Sequence, residues 1–362
     1  MRLLHLGLRN YRNYERLELE PAPHLNVFLG RNGQGKTNLL EAVAMLALSS
    51  SPRARREVEL LGPVADRARI EAVVERDGRR HEMRIEVERS APNRARRRIT
   101  VDGQPRRAVD LPGTFNVVLF WPDDLNLAKA GAEHRRRLLN HMLVQIETGY
   151  ASALTRYTRV VEQRNHLLRQ IQAGEAAPDE LDVWDLELCR FGETLVQGRR
   201  RATAELARAA AQTHRSIAPG ETLELSYRCP PDDLPGAVRE ARRDDLRRGA
   251  TTVGPHRDDI EITLGGRDTR AYASQGQQRT AVVSIKLAEA QVVGHRVGEP
   301  PVLLLDDVLS ELDADRRSSL LAHLGAAGQV VVTSVEAGPF PREVIGRSRV
   351  AHIDGGHVQE EG

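Results

Sequence analysis

Apolar and polar positions alternate at the start of the chain. Residues 3–9 and 15–19 carry the period-two pattern of half-buried strands, with NYRNY between them. HLNVFLG reads as a buried strand, because its apolar run stops at a glycine turn. Beyond that turn Leu39, Leu40, Val43, Leu46 and Ala47 recur at helical spacing. From 68 to 120 the pattern is strand-like again, with Asp77-Gly78 and Asp102-Gly103 set between alternating runs as hairpin turns. The apolar strand FNVVLF ends at Trp121-Pro122.

Residues 132–214 switch to a three-four spacing, carried first by Leu139, Met142, Leu143, Ile146, Leu154, Val160, Leu167, Leu168 and Ile171. AGEAAPDE interrupts it, and a second helical run continues to about His214. This predicts a helical hairpin inserted into an α/β core, whose first arm reaches roughly 50 to 60 Å if it is one straight helix. LELSY and DIEITL return to strand, followed by a helix, the apolar strand PVLLLDD, another helix and the strand QVVVTS. The predicted organisation is a first lobe of residues 1–125 and 295–362, and a mainly helical second lobe of residues 126–294.

The glycine turn carries the first chemistry. Gly30, Gly35, Lys36 and Thr37 satisfy G-x-x-x-x-G-K-S/T between a strand and a helix, the context a phosphate loop requires. Glycines let consecutive N–H groups point inward at phosphate oxygens, and the helix adds its positive N-terminal end. The loop and its exit, Gly30, Arg31, Asn32, Gly33, Gln34, Gly35, Lys36, Thr37 and Asn38, are therefore the candidate nucleotide-binding residues. Lys36 is expected on the β- and γ-phosphates and the Thr37 hydroxyl on magnesium. A chance match in such a chain is on the order of one per cent.

PPVLLLDDVLSELD supplies a second half-site: an apolar strand with Asp306 and Asp307 at its C-terminal tip. Asp306 is placed to hold magnesium and Asp307 to polarise an attacking water as general base, with Glu311 the next candidate. Between the half-sites lies YASQGQQRTAVVSIKLAEA, where Ser274 and Gln277 fit a capping box that starts a helix.

Composition sharpens two of these points. Only Lys36, Lys129 and Lys286 are lysine among 53 basic residues, so a lysine closing the glycine turn is not a habit of this chain. A compact ammonium fits a crowded triphosphate where a guanidinium fork does not. The net charge of +2 hides 16 Arg against 10 acids in residues 51–107 and 5 Arg against 10 acids in residues 300–362. That asymmetry suits a polyanion on one surface and acidic chemistry on another, the alternative being arginine-rich solvated faces. Cys189 and Cys229 form no C-x-x-C pair, which excludes a disulfide framework and fits a reducing compartment. No run has signal-peptide or membrane-spanning character, so the expectation is a soluble cytoplasmic protein with no membrane partner.

Together these pieces resemble the ATP-binding-cassette (ABC) ATPases. ASQGQ stands where that superfamily has its signature motif, and SELD (Ser310–Asp313) resembles the loop that follows its acidic strand. Thr333 sits at the switch position, where transporters usually have His. LRNYRNY, SQGQQR, LLLDDVLSELD and GPHRDD (Gly254–Asp259) are similar to the RecF family over essentially the full length. The resemblance implies a P-loop ABC-type head with an inserted helical lobe, and ATP with Mg2+ as cofactors. It implies that Ser274, Gln275, Gly276 and Gln277 cap the γ-phosphate held by a second copy, so that ATP closes a homodimer on DNA at gaps and junctions. Slow hydrolysis through Lys36, Asp307 and Thr333 then releases it, with RecO and RecR as partners in loading recombinase. Arg12 lies where related heads put a basic residue near the nucleotide, and equally suits a strand turn. The position that senses γ-phosphate, often Gln in cassette proteins, falls in a loop reading WPDDLNL.

DNA contacts are expected from arginine clusters. RSAPNRARRRITVDGQPRR holds seven Arg and one Asp on a predicted hairpin, and HRRR at 134–137 opens the helical arm. Arg94, Arg96, Arg97, Arg98, Arg135 and Arg136 are the candidates; such residues neutralise phosphates without reading sequence. GPHRDD, with one His and no second ligand cluster, predicts a structural turn rather than a metal or nuclease site. A motor or transporter ATPase, and a nucleotide-binding scaffold without useful hydrolysis, are the competing classes.

Overall fold

The alternating N-terminal runs form β1 (Arg2–Tyr11) and β2 (Tyr14–Leu19), followed by the buried β3 (Leu25–Leu29) and helix α1 (Lys36–Leu48). The computed structural model describes every residue except 229–231, 326–327, 339, 342–344 and 361–362, so Cys229 lies outside the described residues. The same holds for the side chain of Glu311. Next come β4 (Arg67–Arg76), β5 (Arg79–Ala91), β6 (Arg94–Val101), β7 (Gln104–Arg106) and β8 (Val117–Phe120). β2, β1, β4, β5, β6 and β7 form one antiparallel sheet in that order. Its hairpins turn where the sequence marks them: Asp77-Gly78 and Asp102-Gly103 both take positive φ (50° and 70°; 52° and 73°), as a two-residue hairpin loop requires. Leu6, Leu8, Ile70, Val74, Ile85 and Val87 are buried on one face, while the alternate positions, Gly7 and Val73 apart, are polar.

The middle of the chain holds α2 (Asn126–Lys129), α3 (Ala132–Ile146), α4 (Tyr150–Gln172), α5 (Leu181–Ile217), β9 (Leu223–Arg228), α6 (Leu234–Arg248), β10 (Asp259–Leu264), β11 (Arg267–Asp268) and α7 (Thr269–Tyr272). β9, β10 and β11 make a three-stranded sheet with β10 in the centre. The first arm is not one straight helix: α3 ends at Ile146, and Gly149, with φ 84°, re-aims the chain into α4. At about 1.5 Å per residue, α4 spans ~35 Å and α5 ~55 Å. Leu167, Leu168 and Leu181 close the hairpin. Below them the fully buried Arg164 is neutralised by Asp185 and Asp245, each at 2.7 Å, and donates to Thr251 at 2.9 Å.

The chain then runs through α8 (Gln275–Val297), β12 (Val302–Asp306), α9 (Ala314–Gly325), β13 (Val330–Ser334), β14 (Arg349–Asp354) and β15 (His357–Glu360). A second six-stranded sheet has the order β15-β14-β3-β13-β12-β8, parallel except for β15. Four of its strands, LNVFL, VVLF, VLLLD and VVVTS, are almost entirely apolar, as strands covered on both faces must be.

Two compact units result, Met1–Leu125 with Arg279–Gly362, and Asn126–Gln278. The dividing line falls inside α8, earlier than the residue 294 expected from the sequence. The helix beyond Gln278 belongs to the first unit because Ala281, Ile285, Ala288 and Val293 are buried there and Lys286 lies over the Phe120 ring at 5.9 Å.

Candidate functional site

The glycine turn sits at the C-terminal end of β3, between β13 and β14. Gly30 and Gly35 have no room for a side chain. A Cβ on Gly30 would meet the Ile353 carbonyl oxygen at 2.4 Å, and one on Gly35 would meet the Asn13 amide at 2.6 Å. Gly35 also holds φ at 118° as the residue before α1, which brings Lys36 and Thr37 into the first turn of that helix. Arg31, Asn32 and Gly33 form the exposed crest. Lys36 Nζ folds over the loop and donates to the carbonyls of Gly30 (2.5 Å) and Arg31 (3.1 Å). Burial lowers its pKa, against the opposing pull of Asp307 and Asp306.

β12 delivers the acidic pair to the same place. Thr37 Oγ1 donates to Asp306 Oδ2 at 2.8 Å, and Thr333 Oγ1 donates to Asp306 Oδ1 at 2.7 Å. Thr333 also receives the Asp307 N–H at 3.2 Å, while its carbonyl takes the same N–H at 3.1 Å. Asp307 adopts φ 53°, a left-handed conformation that Asp tolerates better than most residues, and its Oδ1 accepts from Ser310 at 2.9 Å. Lys36, Thr37, Asp306, Asp307 and Thr333 therefore converge, although 297 positions separate the first from the last.

The other named residues lie elsewhere or have other partners. Ser274, Gln275, Gly276 and Gln277 belong to the second unit. There the Ser274 hydroxyl accepts from the Gln277 N–H at 3.2 Å and the Gln277 side chain accepts from the Ser274 N–H at 2.9 Å, so the capping box is formed. Arg12, at φ 53°, directs its guanidinium to Glu41 in a bidentate pair of 2.9 and 2.7 Å. In the loop after β8, Asp124 turns back to cap the Trp121 N–H at 2.7 Å. Arg94, Arg96 and Arg98 are exposed on β6, whereas Arg97 points inward to the Ser49 carbonyl and to Glu57 at 3.4 Å.

Arg135 corrects an expectation. It is 3% exposed, forks onto Asp259 at 2.6 and 2.9 Å, and donates to the carbonyls of Leu127 and Ala130. Its guanidinium ties the start of the helical arm to β10, spends four of its five N–H donors inside the protein and is buried away from any phosphate in solvent. Arg136, half-buried, donates to the Asp258 carbonyl at 2.7 Å, and burial lowers its pKa. GPHRDD is a structural turn: His256 Nε2 donates to the Thr251 carbonyl at 3.0 Å and its Nδ1 accepts from Tyr157 at 2.7 Å. Arg199 donates to the Pro255 carbonyl at 2.5 Å. Among the described residues no group of His, Cys, Asp and Glu is assembled to hold a metal by itself, and no helix is long and apolar enough to cross a membrane.

Several supports were not readable in advance. Asn13 Nδ2 donates to the Gln34 carbonyl at 2.8 Å and Asn13 Oδ1 accepts from Asn38 at 2.8 Å. The buried Tyr14 hydroxyl donates to the Gly35 carbonyl at 2.9 Å, and its burial raises its pKa. Gln34 is gripped from the β14–β15 turn by the N–H groups of Gly355 (2.6 Å, to its side chain) and Gly356 (3.0 Å, to its carbonyl). NYRNY was the visible signal for the first two; nothing local pointed to the third.

This arrangement has relatives. Residues 2–348 match the family described as the RecF/RecN/SMC N terminal domain. The chain is similar to the DNA replication and repair protein RecF of Heliobacterium modesticaldum, with 38% identity over 371 residues that cover 99% of each chain. It is equally similar to that of Desulforudis audaxviator, with 38% identity and full coverage of both. Among solved structures it is similar to the recombination mediator protein RecF-ATPrS in the RecFOR pathway, with a TM-score of 0.90, 28% identity and coverage of 100% and 98%. An Smc head bound to the C-winged helix domain of ScpA shares the fold, with a TM-score of 0.58 and 14% identity. The phosphate loop braced on β3, the acidic strand beside it and the inserted helical lobe are those of an ABC-type ATPase head, and the chain belongs to the RecF family.

Proposed function

We propose that this chain is an ATP-dependent DNA-binding switch of recombinational repair, in which ATP closes two heads on DNA and slow hydrolysis releases them. The observation that carries the reading is the chain of hydroxyls from Thr37 through Asp306 to Thr333, which ties the phosphate loop, the acidic strand and the neighbouring strand end into one unit. Such a unit responds as a whole when phosphate enters the loop. Lys36 exchanges its two loop carbonyls for phosphate oxygens, and Asp307 polarises water as general base.

Magnesium fits the residues present. The Thr37 hydroxyl and the Asp306 carboxylate are hard oxygen donors already in contact, the partial ligand set this ion uses beside nucleotide phosphates. When bound, it would neutralise phosphate charge between them. Ser274 and its capping box, on the other unit, would complete the γ-phosphate shell of a second copy. RecO and RecR are the proposed protein partners, DNA is bound by structure and not by sequence, and the site of action is cytoplasmic.

Equilibrium sedimentation with and without ATP tests the reading directly. A monomer that becomes a dimer only with ATP, and whose DNA affinity rises at the same ATP concentration, is the expected result. A mass and DNA affinity indifferent to ATP would overturn it. Fast turnover uncoupled from DNA would instead favour a motor.

A further inference from the structure

The solvent-facing side of the first sheet carries a charge pattern set by strand register. Arg16 on β2 lies opposite Arg9 on β1, and Arg9 lies opposite Arg69 on β4. Arg69 is opposite Glu86 on β5, and Glu86 is opposite Arg98 on β6. Five neighbouring strands thus contribute one row with four arginines and one glutamate. At about 4.8 Å per strand the row is ~19 Å long.

Two features set this row apart from an ordinary solvated face. Its neighbour on one side, Glu18, Gly7, Glu71 and Arg84, is not basic: Arg84 pairs with Glu71 at 2.6 Å, and the two glutamates also reach Arg16 at 3.8 Å and Arg69 at 3.6 Å. Like charges placed directly opposite each other destabilise a sheet, yet Arg9 sits between two arginines. The one acid in the row is already taken, since Arg69 pairs with Glu86 at 2.9 Å. Arg9 and Arg98 are exposed and make no ion pair or side-chain hydrogen bond among the described residues.

We infer that this row is a contact track for the phosphate backbone of duplex DNA, with Arg9 and Arg98, unpaired among the described residues, as its principal positive groups and the ion-paired Arg16 and Arg69 flanking them; the inference rests on the DNA-binding reading above. A polyanion relieves the repulsion that the register builds in. Docking of an acidic protein generally adds aromatic or apolar anchors, and none of the large apolar side chains exposed among the described residues lies on these strands. A flat row of guanidinium groups on a sheet reads no base edges, so the contact is sequence-independent. Arg96, two positions before Arg98 on the same face and also exposed, extends the track.

The test is a salt titration of duplex binding with ATP present, using two unrelated sequences of one length. Replacing Arg9→Ala and Arg98→Ala together is expected to lower the magnitude of the slope of log affinity against log salt by about 2, equally for both sequences. Arg9→Lys with Arg98→Lys restores the slope, because counterion release counts charges. Arg84→Ala, on the same face but committed to Glu71, leaves it unchanged. Nucleotide affinity stays at the wild-type value in every variant, and the thermal unfolding midpoint of the double alanine variant does not fall, because removing Arg9 relieves like-charge repulsion. A double alanine variant with the wild-type slope overturns the track while the wild type's own DNA binding leaves the functional reading standing. A wild type without salt-dependent DNA binding removes both. Loss of polyglutamate binding with DNA binding intact would assign the row to an acidic protein and overturn it as well.

Discussion

Thr333 donates its hydroxyl to Asp306 at 2.7 Å, and its oxygen receives the backbone N–H of Asp307 at 3.2 Å. One side chain on β13 therefore holds both the Asp306 carboxylate and the backbone of Asp307 at the tip of β12. Thr333→Val keeps the shape and removes the donor and acceptor. It is expected to lower stability by roughly 1–3 kcal/mol, since it leaves a buried carboxylate oxygen without its donor. Turnover should fall more than ATP affinity. Single-turnover hydrolysis alongside equilibrium nucleotide binding checks this.

Asp307 holds a left-handed backbone that Asn accepts as readily. Asp307→Asn should consequently fold as the wild type does, with ATP affinity within a few-fold. Hydrolysis should drop by roughly a hundredfold or more, the usual worth of a positioned base. Unchanged turnover would move the base to another residue.

Lys36 sits over the Gly30 and Arg31 carbonyls, which the proposed phosphate contact requires it to leave. Lys36→Arg supplies the charge but not a compact ammonium, and should lose most ATP affinity and all ATP-dependent dimerisation. Circular dichroism should remain that of the wild type. Unaltered nucleotide affinity in this variant would count against the assignment.

Glu41 is 0% exposed and its carboxylate is matched by Arg12. Arg12→Ala leaves that carboxylate with the Ser51 hydroxyl and with Arg53 at 4.0 Å, and the loss is expected to approach the roughly 3–5 kcal/mol of a buried pair broken from one side. Arg12→Ala combined with Glu41→Gln should recover part of the loss. Denaturant unfolding of the two variants distinguishes this structural role from a direct nucleotide contact, which would leave stability near wild type and raise the nucleotide Kd alone.

His256 is kept neutral between Tyr157 and Thr251. Burial lowers its pKa, Arg257 and Arg136 add to the effect, and the Thr251 carbonyl and Asp245 oppose it. The unfolded chain takes up this proton as pH falls through about 6.5, while the folded chain resists it. The His256 contribution to stability is therefore present above that pH and lost below it. A thermal unfolding midpoint lower at pH 5.5 than at pH 7.5, with a smaller difference in His256→Gln, is the expected result.

The elements that carry chemistry were legible because each is locally over-determined. LNVFL and VLLLD are apolar runs closed by turn or acidic residues, and the phosphate loop declares itself through Gly30, Gly35 and Lys36. Ser274 and Gln277 announced their mutual cap for the same reason. What the sequence concealed is long-range. The grip of Gly355 and Gly356 on Gln34 joins residues more than 300 positions apart, and no periodicity encodes it. Arg135 misled because charge density looks the same whether a guanidinium faces solvent or Asp259. The break between α3 and α4 turns on the single Gly149, which an apolar stripe runs straight through.

The strand under the phosphate loop has consequences for how the protein is made. β3 is complete by residue 29, yet both of its sheet neighbours are synthesised after residue 329. On the ribosome, an N-terminal portion therefore presents a bare apolar strand with two open edges until about 300 further residues have been made, a species prone to mispairing. The antiparallel meander of β4, β5 and β6 needs only its own hairpins and can form at once. Nucleotide cannot assist folding until β13 has emerged, and the β14–β15 hairpin that closes on Gln34 emerges later still.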